Sequence, residues 1–157
     1  MGGRYALRRT WVGRPNTYFR TFFRCPRMIL SLAVLTTALL FGGMTLYAFG
    51  FAAVLFTALP AATARQVLRK AFPWFYLFVI GSALLAAALL WSHDPVAGAV
   101  LAAVAVTTLP TRHQLMPAIN RATDHGQAQR FKWLHGLSVL ITLAHIAAAG
   151  FVLVRLV

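Results

Sequence analysis

From Met28 to Pro60 the chain runs thirty-three residues without a charged side chain, and this constrains its fold more than any other feature. A helix rises about 1.5 Å per residue, so roughly 20 apolar residues cross the ~30 Å hydrocarbon core of a bilayer. The run is therefore a membrane span with length to spare, and it must tilt or project beyond the bilayer. With spans at about 28–56, 72–91, 96–117 and 131–157, the chain has four crossings. The third is purely apolar only to Leu109 and reaches crossing length by continuing through Pro110 and Arg112 to Pro117. The expected fold class is all-α, an antiparallel up-down bundle of four transmembrane helices over residues 28–157, preceded by a tail over 1–27.

Charge patterning agrees. Charged residues make up 11% of the chain, against about a quarter in soluble domains. Fifteen Lys and Arg face two acids, Asp94 and Asp124, with no Glu. On a soluble chain a net charge of +13 would suggest nucleic acid. Here every basic residue flanks an apolar run or lies outside one. The expected partner is therefore the bilayer with its anionic headgroups, with no nucleic acid; other membrane subunits or self-association come next. No carboxylate falls inside a span, which argues against acid–base catalysis on paired carboxylates and leans away from an enzyme. A single Cys, Cys25, excludes an internal disulfide framework.

The tail holds seven Arg among aromatics. Over 16–27, Tyr18, Phe19, Phe22 and Phe23 share one helical face while Arg20, Arg24 and Arg27 lie off it, the pattern of an interfacial amphipathic helix with its basic side toward lipid headgroups. A basic arm without structure, or translation from Met28, are the alternatives. Orientation is left open, because charges compete. Loops one and three together hold Arg65, Arg69, Lys70, Arg112, Arg121, Arg130 and Lys132, while the seven-Arg tail and Arg155 lie on the opposite side.

Helix contacts within a bilayer favour small residues, and Gly42, Gly43, Gly81, Gly98, Gly136 and Gly150 are the expected packing positions. Span four carries a polar seam, His135, Ser138, Thr142 and His145, continued by Ala149 at alternating spacings of three and four. Such a seam faces protein or a cleft, since polar groups facing lipid go unsatisfied. His113, near the end of span three, and His135, near the start of span four, fall at similar depth. Two imidazoles at one level, with Met116 a turn from His113, form a candidate haem or copper ligand set, His145 being the other partner for His135. The bland reading makes each a hydrogen-bonded imidazole. Trp74, Trp91, Trp133 and Tyr76 sit at span ends as interfacial anchors.

The strings Phe41-Gly42-Gly43-Met44, Phe56-Thr57-Ala58-Leu59-Pro60, Leu115-Met116-Pro117-Ala118-Ile119-Asn120 and Phe131-Lys132-Trp133-Leu134-His135-Gly136-Leu137-Ser138-Val139 resemble a bacterial membrane family, domain of unknown function 4149, over about residues 28–157. That family is related to human transmembrane protein 205 and distantly similar to the copper-resistance CopD group. The resemblance implies a four-helix bundle in a bacterial inner membrane with no assigned activity. Three functions compete: a non-enzymatic packing, scaffold or accessory subunit, which is favoured; a haem- or metal-binding protein; and a small-molecule or metal efflux transporter.

Overall fold

Pro26 opens the first helix, where its missing N–H costs nothing and its fixed φ suits a first turn. The computed structural model describes residues 26–157, so Arg20, Arg24, Cys25 and most of the interfacial helix expected at 16–27 lie outside the described residues. Helix α1 spans Pro26–Thr45, passes through a π-helical stretch at Leu46–Phe51, and continues as α2, Ala52–Ala58. Leu59 is extended before Pro60, as the proline ring requires of its predecessor, and the chain reverses there. Helix α3 runs Ala61–Leu90 and α4 Pro95–Pro110. A second π-helical stretch, Thr111–Leu115, leads into α5, Met116–Asp124, and α6 covers Ala128–Leu156. Four stretches are long and apolar enough to cross a membrane: Arg27–Ala58, Ala61–Leu90, Pro95–Asp124 and Ala128–Leu156. The chain is a multi-pass membrane protein.

Two expectations about loops are corrected. Arg65, Arg69 and Lys70 do not lie in a loop but on α3, which begins at Ala61 rather than near Phe72. The break falls at Leu59-Pro60, and the good helix formers that follow carry the helix out beyond the hydrocarbon. Asp124 likewise ends a helix rather than lying in a loop, because span three continues past Pro117 to Asp124. Gly126, at φ +65°, then closes α5: Gln127 N–H reaches the Ala122 carbonyl at 2.9 Å and Gly126 N–H the Thr123 carbonyl at 3.2 Å.

Each span packs on its neighbours in chain order, and span one packs on span four, which closes a four-membered ring. Helices α1, α3 and α4 each meet their neighbours along a seam at heptad spacing. Ala33, Thr37, Leu40 and Met44 supply it on α1, and Val79, Ala83, Ala86 and Leu90 on α3. Ala97, Leu101, Val104 and Thr108 supply it on α4, while α6 contributes only Ala149 and Val152 as fully buried residues. The buried hydroxyls of Thr37 and Thr108 donate to the Ala33 and Val104 carbonyls, each at 2.7 Å, so neither needs a partner on another helix.

Gly43, Gly98 and Gly150 sit where a Cβ would meet Phe78, the Ala87–Trp91 turn and Phe41, respectively. Gly42, Gly81 and Gly136, expected at contacts as well, have nothing within 4 Å of a Cβ. A small residue permits close approach without producing it, and small residues recur by chance on Ala-rich faces.

Trp74 and Trp133 are about three-quarters exposed at one end of the bundle, and Trp91 is exposed at the other. Trp74 and Trp91 are seventeen residues apart on one helix, about 26 Å at 1.5 Å per residue, which matches the thickness of the hydrocarbon they would bracket. The Trp91 end is tied by Asp94. Its carboxylate caps α4 by accepting from Val96 N and Ala97 N at 3.1 Å each, and it pairs with Arg155 near the end of α6. The Arg155 guanidinium first, and the Ala97 N–H second, hold the Asp94 carboxyl below the usual carboxylate range. A depressed carboxyl stabilises the fold at every pH above the unfolded value near 3.9, and the contribution is lost as pH falls through the lower folded value. Asp94→Asn, which keeps a capping oxygen, is expected to lower the melting temperature in detergent at pH 7, with the difference shrinking only below about pH 4 and vanishing once pH has fallen through the depressed folded value. Identical melting curves at pH 7 would refute an ionic contribution.

Candidate functional site: a cavity at the basic end of the bundle

The ring of spans is filled at the Trp91 end and hollow at the other. A cavity of about 590 Å³ opens where α2 meets α3 and α5 meets α6. Three departures from regular helix surround it. Span one passes through its π-helical stretch, α3 contains Pro73, and span three runs from Pro110 into its own π-helical stretch. The two π-helical stretches change the residues-per-turn count, so the seams of spans one and three shift there, while Pro73 only removes a backbone donor from α3, whose seam runs on unbroken. No residue from Leu46 to Ala58 is buried, and the first fully buried residue of α6 is Ala149. The upper half of span four's seam therefore faces space rather than a packed neighbour.

The floor of the cavity is aromatic. Tyr47 stacks on Phe75 with centroids 4.0 Å apart and planes 9° from parallel, and Phe72 meets Tyr47 edge-on at 5.4 Å. The Tyr47 hydroxyl is buried and has no hydrogen-bond partner. An orphaned buried hydroxyl costs about 1–3 kcal/mol. From rim to floor, one face of α3 presents Arg65, Arg69, Phe72 and Tyr76, all lining the cavity at spacings of four, three and four. The run from Arg65 to Tyr76 descends about 16 Å. Opposite, α6 presents His135, Ser138 and Thr142, and α5 presents Met116, Asn120 and Thr123.

At the rim, Arg69 Nη2 donates to Asp124 Oδ1 at 2.5 Å and to the Asn120 carbonyl at 3.3 Å. A cation on the last turn of α5 suits the negative end of that helix and ties α3 to it. Arg65, one turn before Arg69, has no ion pair or hydrogen bond among the described residues.

The histidines separate. His135 lines the cavity at its rim, exposed, with its ring stacked on Phe131 at 5.4 Å and 4°. Met116 lines the same cavity, whereas His113 is exposed on the second π-helical stretch and does not. His145 lies deeper, its Nε2 2.8 Å from Thr107 Oγ1. Thr107 gives its only proton to the Ala103 carbonyl at 2.6 Å, so the imidazole serves best as the donor. His145 is thus a hydrogen bond between spans three and four. Among the described residues, no three His, Cys, Asp or Glu stand together in a way that suits a metal ion. Of the candidate ligands, only His135 and Met116 share this cavity. Within the seam, Ser138 and Thr142 line the cavity, and Thr142 Oγ1 donates to the Ser138 carbonyl at 3.0 Å.

Reading by apolar runs alone overlooked Arg65, Arg69, Tyr47 and Asn120. A signal for the two arginines was present. Starting α3 after Pro60 makes Arg65, Arg69, Phe72, Tyr76, Val79, Ala83, Ala86 and Leu90 one unbroken seam at heptad spacing.

The model of one protein family, Domain of unknown function (DUF4149), matches residues 35–128, more than half of the chain. Neither a curated protein nor a solved structure matches.

Proposed function

The chain belongs to the domain of unknown function 4149 family, and on that premise we propose that it is a non-enzymatic accessory protein of a bacterial inner membrane that works by holding an amphipathic molecule drawn from the bilayer. The cavity carries this reading. At about 590 Å³ it falls within the ~300–1,000 Å³ range of small-molecule sites. Its body is aromatic and aliphatic and its rim cationic. An occupant with an apolar body and one polar end meets both features.

Absence of catalytic pairing supports the non-enzymatic part. The only two acidic side chains of the chain, Asp94 and Asp124, are both held in ion pairs, and no carboxylate lines the cavity. Helical rather than barrel architecture favours an inner membrane.

Native mass spectrometry tests this directly. Protein released from micelles supplemented with total lipid extract from the host membrane is expected to show one saturable adduct that outlasts loosely attached lipid. A statistical ladder of adducts, with no favoured first step, would overturn the reading.

A further inference from the structure

Granting that the cavity holds an amphiphile, we propose that its occupant is a membrane lipid with an anionic headgroup, which Arg65 engages at the rim while the chain enters the aromatic body. Counting charges first restricts the partner. The end of the bundle where the cavity opens carries Arg65, Arg69, Lys70, Arg112, Arg121, Arg130 and Lys132 against one acid, Asp124; at the opposite end, among the described residues, Asp94 pairs with Arg155 and Arg27 stands at the start of α1. Potential is therefore strongly positive where the cavity opens.

Within that field, two arginines line the cavity one turn apart on the same face of α3, and they are not equivalent. Arg69 is committed to Asp124 and to the Asn120 carbonyl, and holds α3 against α5. Among the described residues Arg65 has no partner, and the sequence contains no acidic side chain besides Asp94 and Asp124. A guanidinium facing a cavity, with five donors in a planar fork, recognises a phosphate or carboxylate. Asp124 shows the chemistry at hand: a carboxylate already sits on the neighbouring guanidinium of the same rim.

The lipid source follows from what lies below the rim. A free anion needs the cations alone and gains nothing from a wall that descends about 16 Å through Phe72 to Tyr76 and Phe75. The exposed indole of Trp74 lies on α3 between Phe72 and Phe75, so the aromatic floor stands at the boundary between headgroups and hydrocarbon, and Arg65, nine residues earlier, stands about 13 Å further out. The chain's own Arg-rich tail has the wrong charge for this rim.

Binding of phosphatidylglycerol, of phosphatidylcholine with the same acyl chains, and of sn-glycerol 3-phosphate is measured on detergent-purified full-length protein by native mass spectrometry titration. Phosphatidylglycerol is expected to bind about tenfold more tightly than phosphatidylcholine, the effect of one charge-assisted contact. Arg65→Gln is expected to bring phosphatidylglycerol down to the phosphatidylcholine level and leave phosphatidylcholine unchanged, while Arg65→Lys retains part of the preference. Soluble sn-glycerol 3-phosphate is expected neither to bind nor to compete. Equal affinity for the two lipids, or a preference that survives Arg65→Gln, overturns the headgroup assignment while leaving the amphiphile site standing. Competition by sn-glycerol 3-phosphate overturns the lipid source in favour of a soluble anion. Failure of both lipids to bind saturably overturns the site itself.

Discussion

Ser138→Phe is expected to weaken amphiphile binding at least tenfold, about 1.4 kcal/mol or more, without loss of fold. Ser138 sits midway down the α6 wall, half-buried, with the cavity in front of it. A benzyl group there occupies the volume that an acyl chain would take, and it packs against an aromatic floor that already holds Tyr47, Phe72 and Phe75. Filling an apolar hollow commonly stabilises a protein, so the melting temperature is expected to stay level or rise. Leu140→Phe serves as the control: Leu140 is well exposed on the outer face of α6, and the change adds a similar ring to lipid-facing surface. Saturable binding measured on both variants decides the matter. If Ser138→Phe binds as tightly as the parent, the occupant does not use this cavity.

Gly98→Leu is expected to be the most destabilising single change among the glycines. A Cβ at Gly98 would stand 3.3 Å from the Ala87 carbonyl oxygen and from Trp91 Cε3, and 3.5 Å from Trp91 Cα. Two of those three atoms belong to the backbone of α3, so no side-chain rotation makes room for a leucine. The whole α3–α4 contact, the most extensive in the bundle, must open instead. Overpacking of this kind costs about 1–3 kcal/mol, and a rigid backbone neighbour places this site at the upper end. Gly81→Leu provides the comparison, because nothing lies within 4 Å of its Cβ and a leucine there points to lipid. Unfolding in mixed micelles followed by circular dichroism is expected to separate the two clearly. Equal stability of both variants would mean that α3 and α4 do not meet at Gly98.

How far the sequence reaches can be judged residue by residue. The four spans were readable because a bilayer imposes a length and an apolarity on any helix that crosses it, and no tertiary contact relaxes that demand. On span four the alternating spacing of three and four projects His135, Ser138, Thr142 and His145 onto one face whatever lies opposite. What lies opposite was not readable. His145 and His135 belong to one seam, yet one meets Thr107 on span three and the other meets a cavity and Phe131. Sequence spacing places both toward the bundle and is silent on which neighbour is there.

By itself, then, the sequence determined the membrane location and the number of crossings. Both depend on helix length and on transfer from water to hydrocarbon. Tertiary structure alone decided that the ring is packed at the Trp91 end and hollow at the basic end, that Arg69 is spent on Asp124 while Arg65 is not, and that Gly98 touches a neighbour while Gly81 does not. Those outcomes depend on the register between helices far apart in the chain. Register is set by where each helix breaks or changes pitch, at Pro60 and in the two π-helical stretches, and a change of pitch shows only once neighbouring helices are in place.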